Sequence, residues 1–189
     1  MLLLLADGET IADAEHRAVV LLAAAPELTV TWSRYGAGER GPAVHVHREH
    51  TDAFYVLTGE LTFEVGLRAD RVRAPAGTFA AVPPNVVHTF VNLSDAPATW
   101  LNMHAPDKGF AAYLRAARHG RESPWDSFDP PADGGRSIAD VIVSEPGEGV
   151  KCATAELHVA EHAGAGGEGL HYELPSGRLL TMRAASMDS

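Results

Sequence analysis

The chain is poor in cysteine and in positive charge, and each shortage excludes a class of protein. Its single cysteine, Cys152, cannot form an internal disulfide or build a cysteine-rich zinc site. This cysteine usage is typical of a reducing compartment, so we expect a cytoplasmic protein. The chain has 15 lysines and arginines against 25 aspartates and glutamates, a formal net charge of −10. Nucleic acids and anionic membranes attract clustered basic residues, so we expect neither as a partner.

Long apolar stretches are also missing. Residues 2–5 form a short apolar run that has no basic residue before it and that Asp7 and Glu9 interrupt. This run is predicted to be neither a signal peptide nor a membrane span. The chain has 189 residues, of which 46% are hydrophobic, and this is enough for one domain with a packed core.

Short apolar or alternating runs separated by turn residues dominate the first half of the chain. A strand is predicted near 17–22, although the capping-box pattern of Thr10 and Asp13 leaves a helix over 7–27 as the alternative. Another strand is predicted over 29–35. Seven further runs follow near 43–47, 53–57, 60–65, 70–74, 79–82, 86–92 and 98–104. Their spacing, roughly 8 to 12 residues, is typical of sandwiches and barrels and predicts an all-β core.

The pattern changes after this core. Phe110, Leu114 and Ala117 recur at helical spacing, and Asp107 can cap the start of a helix over 106–119. The next segment is rich in proline and glycine and predicts an exposed linker.

Two more strands are predicted near the end of the chain, over 138–143 and 155–162. We therefore expect a β-barrel with its following helix over 1–120 and a linker over 121–137. Residues 138–189 form a C-terminal extension whose short extra strands pack on the barrel or on a partner subunit.

Three histidines and one aspartate are candidates for a metal site. His45 and His47 are two residues apart on a predicted strand, so their side chains point to the same face. His88 lies on another predicted strand, and Asp52 follows a short turn. If they converge, three imidazoles and a carboxylate hold one divalent transition metal ion, which the sequence leaves open as Fe, Mn, Ni, Cu or Zn. The alternative is that these histidines are hydrogen-bonded core residues, but their spacing favours a metal site.

The spacing of these residues resembles the two motifs of the cupin superfamily. The first motif is matched by His45, His47, Asp52 and Gly59. The second motif is matched by Gly77, Pro83, Asn85, His88 and Asn92. The resemblance covers roughly residues 28–115. It implies a single-domain jelly-roll β-barrel that binds a metal ion, similar to the cupins that resemble quercetin dioxygenase.

Two positions depart from the family pattern. Asp52 stands where the family has Glu, and Asn85 stands where it has Gly. The Asp52 side chain is one methylene shorter, so its reach to a metal ion is open. Glu49 and His50, in the turn before it, are rivals as ligands or as proton-transfer groups. We assign metal ligation to His45, His47, Asp52 and His88, and catalytic proton transfer to Asp52 and Glu49.

Three functions fit this site. The first is a dioxygenase that acts on a small phenolic or flavonoid-like substrate, with Asp52 or Glu49 taking a proton from a substrate hydroxyl. The second is a redox-neutral isomerase, cyclase or lyase that uses the metal ion as a Lewis acid. The third is a non-catalytic cupin that binds a small ligand or a metal ion. The resemblance also implies pairing through sheet edges, so we expect a homodimer.

Overall fold

The computed structural model describes residues 1–164 and 167–185, and most of its regular structure is β-strand. Within these residues there are fourteen strands and one α-helix, α1 (Phe110–Ala117). The strands are β1 (Glu9–Asp13), β2 (Arg17–Ala25), β3 (Leu28–Tyr35), β4 (Thr51–Thr58), β5 (Glu60–Val65), β6 (Asp70–Pro75), β7 (Phe79–Val82), β8 (His88–Val91), β9 (Ala98–Ala105), β10 (Ile142–Ser144), β11 (Lys151–Ala153), β12 (Leu157–His162), β13 (Leu170–Glu173) and β14 (Leu179–Ala184). Residues 165–166 and 186–189 of the predicted extension lie outside the described residues.

Two antiparallel sheets form a barrel. The larger sheet has seven strands in the order β1-β2-β3-β9-β4-β7-β10, and the smaller has three in the order β6-β5-β8. Both sheets contribute to one buried cluster, which includes Phe54 of β4, Phe63 of β5, Phe90 of β8 and Trp100 of β9. The predicted all-β jelly-roll barrel with one helix is confirmed.

Side chains on β4 and β9, which pair at the centre of the large sheet, alternate between two covered faces. Phe54 and Trp100 point into the barrel. Tyr55, Leu101 and Met103 point to the outer face and belong to a second buried cluster. Seven of the eight residues of β4 are buried, which requires both faces of the sheet to be covered.

A four-stranded sheet, β11-β12-β14-β13, covers the outer face of the large sheet. Leu157, Leu180 and Met182 are fully buried in the same cluster as Leu101 and Met103. Burial of a large apolar side chain stabilises a fold by about 1.5–3 kcal/mol, so this contact contributes substantially to stability. In the described chain, the C-terminal strands pack on the barrel that precedes them. The expected homodimer stays a prediction.

Helix α1 follows β9 and is shorter than the predicted span of 106–119. The Asp107 carboxylate accepts hydrogen bonds from the backbone N–H groups of Gly109 and Ala111, so it caps the first turn as expected. No helix within residues 1–164 and 167–185 has the length and apolar character needed to cross a membrane.

The segment after the helix, residues 121–137, returns to the barrel, and we call it the strap. Its backbone pairs with the barrel through an isolated bridge between Phe128 and Val46 and another between Gly135 and Val86. Most side chains of the strap are exposed, but Asp126 is buried.

Several local predictions differ from the structure. Residues 43–47 form isolated bridges instead of a regular strand, because this segment bonds to β8 on one side and to the strap on the other, one residue at a time. The helical alternative for 7–27 is wrong, since this region contains β1 and β2, while the predicted strand near 17–22 is confirmed within β2. Strands β1, β11, β13 and β14 were not predicted.

Candidate metal centre

The four predicted ligands meet inside the barrel. His45, His47, Asp52 and His88 are buried, and one ligand atom from each lies within 4.8 Å of all the others. The bridge between His45 and His88 joins the two motif segments. Asp52 reaches the group from β4, on the same inward face as Phe54.

Backbone carbonyl groups orient all three histidine rings. Nδ1 of His45 and Nδ1 of His88 lie 2.8 and 2.9 Å from the carbonyl oxygen two residues earlier in the chain. Nδ1 of His47 contacts the carbonyl oxygen of Asp126. A carbonyl oxygen only accepts hydrogen bonds, so each Nδ1 carries the hydrogen and each Nε2 of the neutral ring presents a lone pair. The three rings are therefore set to bind a cation through Nε2.

The distances between the ligand atoms fit a single metal ion. Nε2 of His45 is 3.1 Å from Nε2 of His47. Oδ2 of Asp52 is 3.3 Å from Nε2 of His88 and 3.6 Å from Nε2 of His47. Ligand atoms bound about 2.0–2.1 Å from one ion at octahedral or tetrahedral angles lie about 2.9–3.4 Å apart. The first two distances fall in this range and the third lies just above it, so the shorter side chain of Asp52 comes close to the position that a ligand needs.

The protonation states of the site also suit a cation. Burial, together with His88 and His47, lowers the pKa of His45 to about 3, so this ring is neutral. Burial alone would raise the pKa of Asp52, but the adjacent His104, His47 and His88 outweigh burial and hold this pKa well below its usual range. Neutral imidazole and ionised carboxylate are the forms that ligate divalent transition metals.

The second oxygen of Asp52 is held by β9. Nδ2 of Asn102 donates to Oδ1 of Asp52 and, at 3.0 Å, to the carbonyl oxygen of Ala53. Nε2 of His104 lies 3.5 Å from the same Oδ1. These contacts leave Oδ2 facing the three histidines, so Asp52 offers the ion one oxygen.

A row of polar side chains runs beside the four ligands. Nδ1 of His50 is 2.8 Å from Oδ2 of Asp126, and Nε2 of His50 is 2.8 Å from Nδ1 of His104. Nε2 of His104 is in turn 2.9 Å from Oδ1 of Asn102. Burial lowers the pKa of both His50 and His104. This row of hydrogen bonds connects the strap to Asn102, which donates a hydrogen bond to Asp52.

Asp126 is a site residue that the sequence did not reveal. Its carboxylate accepts hydrogen bonds from the backbone N–H groups of Arg48 and Glu49, at 3.0 and 2.8 Å, besides its contact with His50. Its carbonyl oxygen also orients His47. One residue of the strap therefore fixes the turn that lies between two metal ligands.

The other predicted catalytic residue, Glu49, lies away from the metal ligands. Its side chain is 64% exposed and forms an ion pair of 2.6 Å with Lys108. The backbone N–H of Glu49 faces Asp126, while its carboxylate points outward to solvent. The structure therefore does not bring Glu49 to the site.

A cavity of about 250 Å³ lies beside the ligands. At one end it is lined by His45, Asp52, Asn102 and His104. Its remaining walls come from the barrel, α1 and the strap, and the larger side chains among them are Tyr35, Phe90, Trp100, Phe110, Tyr113, Leu114 and Trp125. Arg17, with a half-exposed side chain, also contributes to the lining. The arrangement can hold a small molecule next to a bound metal ion.

Comparison with known proteins finds a family model and solved structures to which this chain is similar. Residues 31–104 match the family model of the cupin domain. The structure of KdgF from Halomonas sp. superposes with a TM-score of 0.51 at 17% identity, covering 59% of this chain and 97% of that one. An RmlC-like cupin from Shewanella frigidimarina gives a TM-score of 0.48 at 24% identity, over 56% of this chain and 90% of that one. No curated protein matches the chain.

Proposed function

We propose that this protein, which has a cupin fold, is a metal-dependent enzyme and that it catalyses the dioxygenation of a small phenolic compound. The observation that carries the proposal is the position of His45 and Asp52. Both belong to the group of four ligands, and both line the cavity. A molecule in the cavity would therefore lie directly beside the ion that these residues would hold.

Different residues of the site have different roles in the proposed reaction. A divalent transition metal ion held by His45, His47, Asp52 and His88 would act as a Lewis acid with open positions for substrate and dioxygen. Asp52 lines the cavity, and we assign it the proton of a substrate hydroxyl group, which a bound metal ion would make more acidic. The apolar and aromatic walls give a bound substrate a mostly apolar surrounding.

A redox-neutral reaction is the second candidate, and the polar side of the cavity favours it. Thr31 and Ser33 of β3 and Asn102 of β9 line the cavity together, and Thr31 and Asn102 are direct partners across the two strands. These groups can hydrogen-bond to the hydroxyl and carbonyl oxygens of a polar substrate. The same ion would then polarise a carbonyl group without consuming oxygen.

The test is metal analysis of the purified protein combined with oxygen uptake on a panel of phenolic compounds. We expect bound iron, manganese, nickel or copper and oxygen consumption that depends on a phenolic substrate. The variant His45→Ala should lose both the metal and the oxygen uptake. Glu122→Gln, an exposed change in the strap, is the matched control and should keep both.

Two other results would overturn the proposal. Tightly bound zinc without oxygen consumption would contradict dioxygenation and support the redox-neutral reaction. A protein purified anaerobically without metal, whose His45→Ala variant folds and binds the same small ligand equally well, would show a non-catalytic binding protein.

A further inference from the structure

The cavity is small, and its volume limits the ligand. In another protein a cavity of about 150 Å³ binds benzene, which corresponds to about 25 Å³ for each non-hydrogen atom of the bound ring. At this ratio, the 250 Å³ of the present cavity hold roughly ten non-hydrogen atoms. A single six-membered ring with hydroxyl groups and a short substituent has this size. A three-ring flavonoid is considerably larger.

One wall of the cavity is an aromatic cluster on the barrel, formed by Tyr35, Phe90 and Trp100. The ring centroids of Tyr35 and Trp100 are 4.8 Å apart, and those of Phe90 and Trp100 are 5.3 Å apart, both in edge-to-face contact. Trp100 is buried almost completely, so its ring is held in place by its neighbours. We call these three residues the barrel cluster.

The helix and the strap provide a second aromatic cluster, formed by Phe110, Tyr113 and Trp125. The centroids of Tyr113 and Trp125 are 5.0 Å apart in a stacked arrangement, and those of Phe110 and Trp125 are 5.1 Å apart. We call these residues the helix cluster. All members of both clusters line the same cavity. Aromatic rings pack favourably against the faces and edges of other rings, so these walls favour a flat aromatic ligand.

Apart from a metal ion at the four ligands, the side chains that line the cavity offer little positive charge to an anionic group. Among the described residues that line the cavity, Arg17 is the only lysine or arginine. Its guanidinium group donates two hydrogen bonds to Glu39, at 2.7 and 3.1 Å, and lies 4.2 Å from the centre of the Tyr35 ring. Because Glu39 compensates this charge, Arg17 is not available as a dedicated partner for a carboxylate or a phosphate.

We infer that the ligand of this cavity is an uncharged, hydroxylated single-ring aromatic compound, bound with its hydroxyl groups toward Asp52 and its ring between the barrel cluster and the helix cluster. This inference rests on the proposed function for the role of the site, and it narrows the substrate to a one-ring phenol. A three-ring flavonoid exceeds the volume of the cavity. A sugar phosphate lacks an aromatic face, and Arg17, the basic side chain in the lining, is already paired with Glu39.

Binding to zinc-loaded protein tests the inference without turnover, because zinc has no redox chemistry. Calorimetric titrations would compare a dihydroxybenzene, a dihydroxynaphthalene, a three-ring flavonol and a hexose phosphate. We expect the dihydroxybenzene to bind at least about tenfold more tightly than the flavonol, because overpacking a formed cavity is costly. Equal or tighter binding of the flavonol or the hexose phosphate would overturn the inference.

Two cavity variants sharpen the test because they act in opposite directions. Tyr113→Ala enlarges the cavity at the helix cluster, so we expect the flavonol to gain about tenfold in affinity, which misfolding cannot produce. Ala117→Leu reduces the volume of the cavity and should lower the affinity for the dihydroxybenzene by about tenfold. Tyr172→Ala, on β13 in the C-terminal sheet, is the matched control and should change neither affinity. A failure of Tyr113→Ala to admit the flavonol would contradict the size limit.

The outcomes separate this inference from the proposed reaction. If the dihydroxybenzene binds selectively and no metal-loaded form consumes oxygen with it, the ligand class stands and dioxygenation fails. If oxygen is consumed only with the flavonol, dioxygenation stands and the ligand class fails.

Discussion

The inner and outer faces of the large sheet are built by the same strands but carry different chemistry. On β9, Asn102 and His104 point inward to Asp52, whereas Leu101 and Met103 point outward to the C-terminal sheet. Both faces are buried, so burial alone does not distinguish them. The two faces are distinguished by the polar residues at every second position of the strand. These residues mark the inner face, because a buried polar group is costly unless it has a partner or a function.

The difference between the faces is also a division of energetic roles. The inner face buries the ionised Asp52 and several neutral imidazoles, which lose their hydration and depend on hydrogen bonds for compensation. A bound metal ion would add to this compensation. The outer face buries apolar side chains such as Leu180 and Met182 without polar partners to satisfy. We therefore expect the outer face to determine stability and the inner face to determine metal binding.

The largest expected effect is the loss of a ligand on the inner side. His88→Gln removes an Nε2 donor from the group, so we expect metal affinity to fall by more than about 100-fold, beyond the effect of losing an outer partner of a ligand. Competition with a chelator measures the affinity. His158→Gln, on β12 in the C-terminal sheet, is the control. Unchanged affinity in His88→Gln would place the ion elsewhere.

A truncation on the outer face should lower stability and leave metal affinity unchanged. Leu180 is fully buried, and Leu180→Ala should lower the free energy of unfolding by about 2–5 kcal/mol because it leaves a cavity in the cluster. Urea denaturation of the metal-free protein measures this loss. Metal affinity at a urea-free reference condition should stay at the wild-type value. A joint loss of affinity and stability would show that the two faces are coupled.

A substitution in the strap should have a smaller effect on metal affinity. Asp126→Asn keeps the size of the side chain but removes the charge that strengthens its hydrogen bonds to Arg48, Glu49 and His50. We expect metal affinity to fall by about tenfold, since partners that orient a ligand typically contribute 10- to 100-fold. Asp129→Asn, exposed in the same strap, is the control. An affinity equal to that of the control would contradict a positioning role for Asp126.

The grouping of His45, His47, Asp52 and His88 could be predicted from the sequence because strand alternation and motif spacing act locally. His104 also had a local signal, since Trp100, Asn102 and His104 alternate along the predicted strand 98–104. What the sequence lacked was the register that pairs His104 with Asp52, because β4 and β9 are distant in the chain. Asp126 had no local signal, since proline and glycine around it indicate only a loop, and its burial depends on where the strap crosses the barrel.

The strands of the fold could likewise be predicted only where the local sequence carries a signal. The predicted strands 60–65 and 79–82 agree with β5 and β7 to the residue, because turn glycines or prolines bound them. Strands β13 and β14 escaped prediction because the end of the chain has no clear period. Their stability comes from packing on the outer face, which is a tertiary contact.

The smallest expected effect concerns Cys152, which is buried between the C-terminal sheet and the outer face. Burial raises the pKa of this thiol from 9.0 to about 11. The folded chain therefore keeps the proton that the unfolded chain loses, and the free energy of unfolding falls as the pH rises from about 9 toward 11. At pH 8 we expect a thiol reagent to leave the folded protein unmodified and to react fully in denaturant, with Cys152→Ala as the unreactive control. Rapid reaction of the folded protein would mean that the C-terminal sheet leaves the outer face, in which case the outer face could not be the part of the molecule that determines stability.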